Sequence, residues 1–294
     1  EEVKSRGVDT PNIDLLISNG ARLREVETVI PSYGGSQATA LTGADTDTNR
    51  FLYRYYDRES NTCINDTKKT FNMEAQTIFE KFIEDNNGAK VLATGWHLGD
   101  KSIDGRGVFK EGNENYKLKE YERGDKLISV ESVTKDIIEA INTNDTPKLI
   151  MAYSNDIKMA GWGGTDSLIN NKLDETIRLI DKNVGEIVNA LKDTGKYKNT
   201  TIILNSLSNV YTIGSKITTG SLASKITSAT GVKAVESGGG NIESDVKVVI
   251  IKQYIMAYAQ LYFTNNATEE DKEKVLSYLK DKTNDIGDNI EDIY

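Results

Sequence analysis

Leu173, Ile177, Ile180, Val184, Ile187, Val188 and Leu191 recur every third or fourth position, a spacing that predicts one long amphipathic helix closed at Gly195. The same period sets Val130, Val133, Ile137, Ile138 and Ile141 on one helical stripe. Within Glu74–Asn86 it sets Ile78, Phe79, Phe82 and Ile83 on another. Between these stripes stand short runs rich in apolar and β-branched residues: Ala89–Thr94, Lys148–Tyr153, Thr201–Leu204 and Val246–Gln253, with a further candidate strand in Ile255–Phe263. Strand-sized runs alternating with helical stripes predict an α/β protein with right-handed crossovers. The expected fold is a central, mostly parallel sheet flanked by helices on both faces.

The ends of the elements are marked as well. Thr10-Pro11-Asn12-Ile13-Asp14 announces a helix, with Thr10 expected at the cap, Pro11 at the first helical position and Gly20 at the close. A short helix is expected after a Gly34-Gly35 turn, stopping near Gly43, and Thr268-Glu269-Glu270-Asp271 opens one with Asp in the usual Glu position of a capping box. Val275, Leu276 and Leu279 give that last helix its buried side. Residues 214–245 are rich in Gly, Ser and Thr with little periodicity, and read as a long surface excursion or small insertion. The expected organisation is one domain over residues 1–294.

No apolar run approaches the ~20 residues of a membrane span. The net charge of -9, with basic residues scattered, excludes a basic nucleic-acid-binding stripe. Cys63 is the one cysteine, so neither an internal disulfide nor a cysteine zinc cage is available. His97 is the one imidazole. Asn65, Asn144, Asn199 and Asn266 each open an Asn-X-Thr sequon, and these point to an extracellular or cell-surface setting. The first residue, Glu1, opens on charge, as in a mature, truncated or cytosolic chain.

Four ordered segments resemble the type I phosphodiesterase/nucleotide pyrophosphatase family of the alkaline phosphatase superfamily. They are Thr10-Pro11-Asn12-Ile13-Asp14 with Asn19-Gly20-Ala21-Arg22, Pro31-Ser32-Tyr33 with Thr39-Ala40-Leu41-Thr42-Gly43, Gly95-Trp96-His97-Leu98-Gly99, and the long helix ending in Leu191-Lys192 followed by Asn199-Thr200 and a strand into Ser206. The resemblance implies an alkaline phosphatase-like three-layer sandwich, from which the first family strand is missing because it would precede the Thr-Pro-Asn helix. It also implies that an upstream segment or a partner chain completes the sheet.

Members of that family hydrolyse phosphodiesters with two zinc ions, held by aspartates and histidines, and a Thr or Ser nucleophile. Carried over position by position, the nucleophile's place falls on Gly34 or Tyr33. The Asp and His of the next element fall on Ile157 and Gly161, and sliding by one residue offers Asp156 or Trp162 instead. Ser206-Leu207-Ser208-Asn209 stands for the family's Ser-Asp-His-Gly, and no histidine follows His97. The resemblance therefore implies zinc in active members but no zinc site, and no other cofactor, here.

Other residues carry two readings each. Ser36 is a helix-capping serine or a displaced nucleophile. Asp45 and Asp47 form a solvated turn or a calcium pair, and Asp104-Gly105 reads as a turn. Glycines around Trp162 bring backbone and indole to a ligand, or make a loop tethered by a packed Trp. Gly34, Gly35, Ser36, Asp156 and Trp162 are the candidate binding residues. Tyr53, Tyr55 and Tyr56, interleaved with Arg54 and Arg58, offer a protein or carbohydrate contact or an ordinary half-buried strand. The expectation is a diverged, non-catalytic phosphodiesterase-fold domain acting outside the cytoplasm in binding, structure or assembly. The alternative is a metal-dependent phosphodiesterase, nucleotide pyrophosphatase or phosphotransferase with an altered site.

Overall fold

The computed structural model describes residues 7–23, 33–49, 54–65, 75–95, 116–119, 127–161, 171–207, 217–251, 259–290 and 293. In chain order the elements are α1 (Pro11–Asn19), α2 (Tyr33–Thr42), α3 (Thr46–Asn49), β1 (Arg54–Asp57), β2 (Thr62–Asn65), α4 (Ile78–Asp85), β3 (Val91–Thr94) and β4 (Tyr116–Lys119). There follow α5 (Val130–Ile141), β5 (Leu149–Ala152), α6 (Asp156–Gly161), α7 (Asn171–Asp193), α8 (Thr219–Thr230), β6 (Ala234–Ser237), β7 (Gly240–Asn241), β8 (Val248–Ile251), β9 (Gln260–Phe263) and α9 (Glu269–Lys280). The fold is α/β. The described strands make three-stranded sheets in the orders β1-β2-β7, β4-β3-β5 and β6-β8-β9. The chain divides into two compact units, residues 1–51 with 70–210, and residues 52–69 with 211–294.

In the first unit β3 pairs in parallel with both β4 and β5, with Val91 opposite Tyr116 and Leu149. Its four residues are all buried, as expected of a strand covered on both faces. Helix α5 covers this sheet through Val133, Ile137 and Ile141, which pack with Ile128, Ile150, Tyr153 and, on α7, Ile187 and Leu191. The turn after β3 needs glycine. Gly95 has φ +76°, and a Cβ there would lie 1.9 Å from the carbonyl oxygen of Tyr153.

Helix α1 departs from its expected capping. The Thr10 side chain makes no cap bond; the acceptor is Asp181 of α7. Its carboxylate accepts from the Asn12 and Ile13 N–H groups at 3.3 and 2.8 Å and from Asn12 Nδ2 at 2.8 Å. Two acceptor oxygens on a buried carboxylate satisfy more orphan donors than one hydroxyl does. The helices meet at Gly185, where a Cβ would sit 2.6 Å from Asn12 Oδ1. Gly20 does stand at the end of α1, in an extended rather than left-handed conformation.

Two further expectations change here. Gly34 and Gly35 lie inside α2 rather than in a turn before it, so Ser36 is the fourth helical residue and not the cap. Thr201–Leu204 forms no strand among the described residues, and Ile203 is 83% exposed. Its composition suits a strand, but composition supplies no neighbour to pair with.

The second unit is layered around β8. Val248 and Ile250 face α8 and α9, packing with Ala223, Ile226, Val275, Leu279 and Ile286. Val249 and Ile251 face the β1–β2 hairpin, packing with Tyr56, Cys63, Ile242 and Val246. β8 pairs in parallel with β6 and antiparallel with β9, whereas β1, β2 and β7 are all antiparallel. Within the stretch 214–245, the described residues 219–241 carry a helix and two strands. Helix α8 has Thr218 as its hydroxyl cap and Gly231 as its left-handed close. Helix α9 starts with the capping box read from the sequence, Thr268 with Asp271.

Candidate functional site

The C-terminal edge of a parallel sheet is where α/β proteins gather ligands, and Asp156 stands at that edge, four residues beyond β5. It opens α6, and its carboxylate accepts the Val130 N–H at 2.7 Å. The neighbouring Asn155 side chain accepts the Ile128 N–H at 2.7 Å, while the Asn155 N–H donates back to the Ile128 carbonyl at 3.1 Å. Ser129 caps α5 from its own sequence by accepting the Ser132 N–H. Asn155 and Asp156 therefore clamp the chain as it enters α5, and the Asp156 carboxylate meets the positive end of that helix.

Burial pushes the Asp156 carboxyl above the usual carboxylate range, with the Glu131 charge adding to the effect. The Val130 N–H and Ser154 pull it back. Ile157, the alternative position, carries no donor atom and is exposed. Gly161 closes α6. Ser206 and Leu207 are described, with Ser206 exposed and Leu207 half-buried. Trp162, His97, Asp104, Tyr53, Ser208 and Asn209 lie outside the described residues, as do the side chains of Tyr33 and Asp47. Among the described residues no three His, Cys, Asp or Glu side chains are grouped as metal ligands would be. The positions that the family resemblance assigns to metal do not fit zinc, because Ile157, Gly161 and Leu207 bring no donor side chain.

At the start of α2, Gly35 and Ser36 are buried. Gln37, the next residue, is 0% exposed, and neither atom of its side-chain amide has a hydrogen-bond partner among the described residues. The Thr39 hydroxyl is likewise buried and unpartnered. Neither Gln37 nor Asn155 belongs to a motif that marks it in the sequence. Small neighbours such as Gly35, Ser36 and Ala38 are the signal that a polar side chain there is packed closely, but nothing in the sequence says whether it is paired.

Asp45 proves to be the cap of α3, accepting the Thr48 N–H at 3.0 Å through its side chain. Tyr56 belongs to the core, its hydroxyl donating to Asn61 Oδ1 at 2.7 Å, while Tyr55 faces outward. Asn65, Asn144, Asn199 and Asn266 are all exposed. A cleft of about 280 Å³ lies between α5 and α7, lined by Glu131, Thr134, Lys135, Lys182, Asn183 and Glu186 among others. Its charges alternate in sign, and Lys182 pairs with Glu186 at 3.6 Å. No described helix is long and apolar enough to cross a membrane.

Residues 3–292 match the family model described as type I phosphodiesterase / nucleotide pyrophosphatase. No curated protein matches the chain. Among solved structures it is similar to murine ectonucleotide pyrophosphatase / phosphodiesterase 5, at 20% identity over 65% of this chain and 49% of that one, with a TM-score of 0.48. An inactive variant of the same murine protein in complex with AMP gives 19% identity and a TM-score of 0.46, with the same coverage. Ps i-CgsB in complex with k-i-k-neocarrahexaose gives 16% identity over 65% of this chain and 51% of that one, with a TM-score of 0.42. The chain spans about half the length of these solved structures.

Proposed function

The chain belongs to the type I phosphodiesterase/nucleotide pyrophosphatase family, and we propose that within it this is a diverged member without the family's metal-dependent hydrolysis, serving outside the cytoplasm in binding or assembly. One observation carries the reading. Asp156, the carboxylate that a one-residue slide would bring to a family metal-ligand position, is spent on the Val130 N–H as a cap of α5. A carboxylate so held is a structural acceptor, and its neighbouring ligand positions hold side chains without donors. Neither zinc nor another cofactor is needed for this role.

The contacts of such a protein fall on two surfaces. Tyr55 and Arg54 on the outer strand β1 suit a protein or carbohydrate partner, and the four exposed sequons suit a glycosylated exterior. β5 has β3 as its one described neighbour. A further strand, from elsewhere in the polypeptide or from another chain, would add at its open side.

The competing reading, a phosphodiesterase with an altered site, is favoured by Gln37. A buried amide with both atoms unpartnered costs about 1–3 kcal/mol per group, a penalty that a ligand at the start of α2 would relieve. Elemental analysis of the purified protein, followed by a nitrophenyl phosphodiester assay with zinc, magnesium and manganese added in turn, separates the two. The expected outcome is sub-stoichiometric metal and turnover equal to buffer. Stoichiometric zinc with metal-dependent turnover, lost in Gln37→Leu or Ser36→Ala, would establish the enzyme.

A further inference from the structure

The sequence contains two Asn-Gly steps, Asn19-Gly20 and Asn87-Gly88; Asn19 is the last residue of α1, and Asn87 lies just past the end of α4. Such a step is chemically reactive because glycine leaves the following peptide nitrogen unshielded by any side chain. That nitrogen attacks the Asn side-chain carbonyl carbon. The new N–Cγ bond forms, the Cγ–Nδ2 bond breaks, and ammonia leaves with the peptide proton. The resulting succinimide is then opened by water at either carbonyl, giving aspartate or isoaspartate. No oxidant or reductant takes part.

The fold treats the two steps differently. Gly88 donates its N–H to the Ile83 carbonyl at 2.9 Å, and the preceding Asn86 N–H donates to Phe82 at 3.1 Å. With Asn87 at φ +52° and Gly88 at φ +75°, the end of α4 is closed by a six-to-one helix cap that occupies the attacking nitrogen. Gly20 has no such closure. Its N–H reaches the Ile17 carbonyl at 3.4 Å, and Gly20 is extended rather than left-handed.

Helix α1 is anchored through its first turn. Asp181 holds Asn12 and Ile13, whereas no residue of α1 is buried and its last turn has no basic side chain against the exposed carbonyls. An exposed last turn whose exit is closed by a long Gly20–Ile17 bond is where a helix frays. Fraying frees the Gly20 nitrogen and lets Asn19 leave the helical ψ that keeps the two atoms apart.

We propose that Asn19 is a self-modification site, converting to aspartate and isoaspartate in the folded protein, while Asn87 is held back by its cap. Either product places a negative charge at the negative end of α1, and isoaspartate also adds one methylene to the backbone where the helix passes into residues 21–23. Both weaken the last turn of α1.

The test is peptide mapping by mass spectrometry after incubation of the whole chain at mildly alkaline pH, folded and in urea. In urea both steps react alike, which calibrates the chemistry. In the folded protein Asn19 is expected to retain its unfolded rate within a small factor. Asn87 is expected to slow by about tenfold or more, the order of protection that one intact cap hydrogen bond supplies. Gly20→Ala should slow Asn19 in both states and leave Asn87 untouched. Equal protection of Asn19 and Asn87, or faster reaction at Asn87, would overturn the assignment.

Discussion

Asp156 shows how one side chain can look like a ligand in sequence and act as a cap in structure. Its carboxylate is buried against the start of α5, and desolvation raises its proton affinity more than the Val130 N–H and Ser154 lower it. An acid whose carboxyl is raised in the folded state binds its proton more tightly there than in the unfolded chain. Its contribution to stability is therefore complete below the ordinary carboxylate range and fades as pH rises through the raised value. Asp156→Asn keeps an acceptor for Val130 but cannot ionise. Urea unfolding at a series of pH values should show the wild type losing stability relative to Asp156→Asn as pH rises from the acid side towards neutrality. A difference between the two that does not change with pH would show that the folded protein does not penalise the charge. Neither this engagement nor that of Asn155 could be read from the sequence. Asn155-Asp156 looks like any polar pair after a strand, and its partners at Ile128 and Val130 are set by the crossover.

At the scale of elements, what was legible is what periodicity and capping encode locally. Strong apolar spacing placed α5 and α7, and continuous apolar runs placed β3, β5 and β8. Thr268 and Asp271 closed the expected box at α9. Helix α8 was not legible, because its stripe is reduced to Leu222, Ala223 and Ile226 among Ser and Thr. In the folded chain Ser224, Thr227 and Thr230 donate to carbonyls one turn back instead of competing with the helix. Thr201–Leu204 fails the other way, with strand-like residues and no ladder. Capping from a distance is beyond any local signal. Asp181 lies 169 residues from Asn12, yet it supplies the acceptor that Thr10 does not. Asp181→Ala leaves the Asn12 and Ile13 N–H groups without that acceptor and should cost about 2–3 kcal/mol. Asp181→Asn, which retains one acceptor oxygen, should cost about half as much. Chemical denaturation with far-UV circular dichroism reads both. An Asp181→Ala protein within about 0.5 kcal/mol of wild type would mean that Thr10 or water takes over the cap.

Across the whole molecule, the described strands are protected to different depths, and this sets where each unit opens first. β8 is hydrogen-bonded on both edges and covered on both faces, and its four residues are 0–1% exposed. β5 has a single described neighbour, and none of its residues is fully buried. Burial on two faces means that exposing a β8 amide requires both the α8–α9 layer and the hairpin layer to part, the largest opening its unit offers. β5 needs only its outer side to loosen. Hydrogen–deuterium exchange on the native protein should accordingly find the slowest amides at Val248–Ile251 and at Val91–Thr94, which is equally buried and paired on both edges, with those of Leu149–Ala152 at least about tenfold faster. Residues 201–207, which form no ladder, and the last turn of α1 should exchange fastest of the described segments. The same ranking bears on the open side of β5: if a further strand pairs there in solution, the β5 amides will be protected to nearly the level of β8. Exchange at β5 as slow as at β8 would therefore identify the strand addition proposed for that edge, and exchange at β8 as fast as at β5 would show that the second unit is not layered as described.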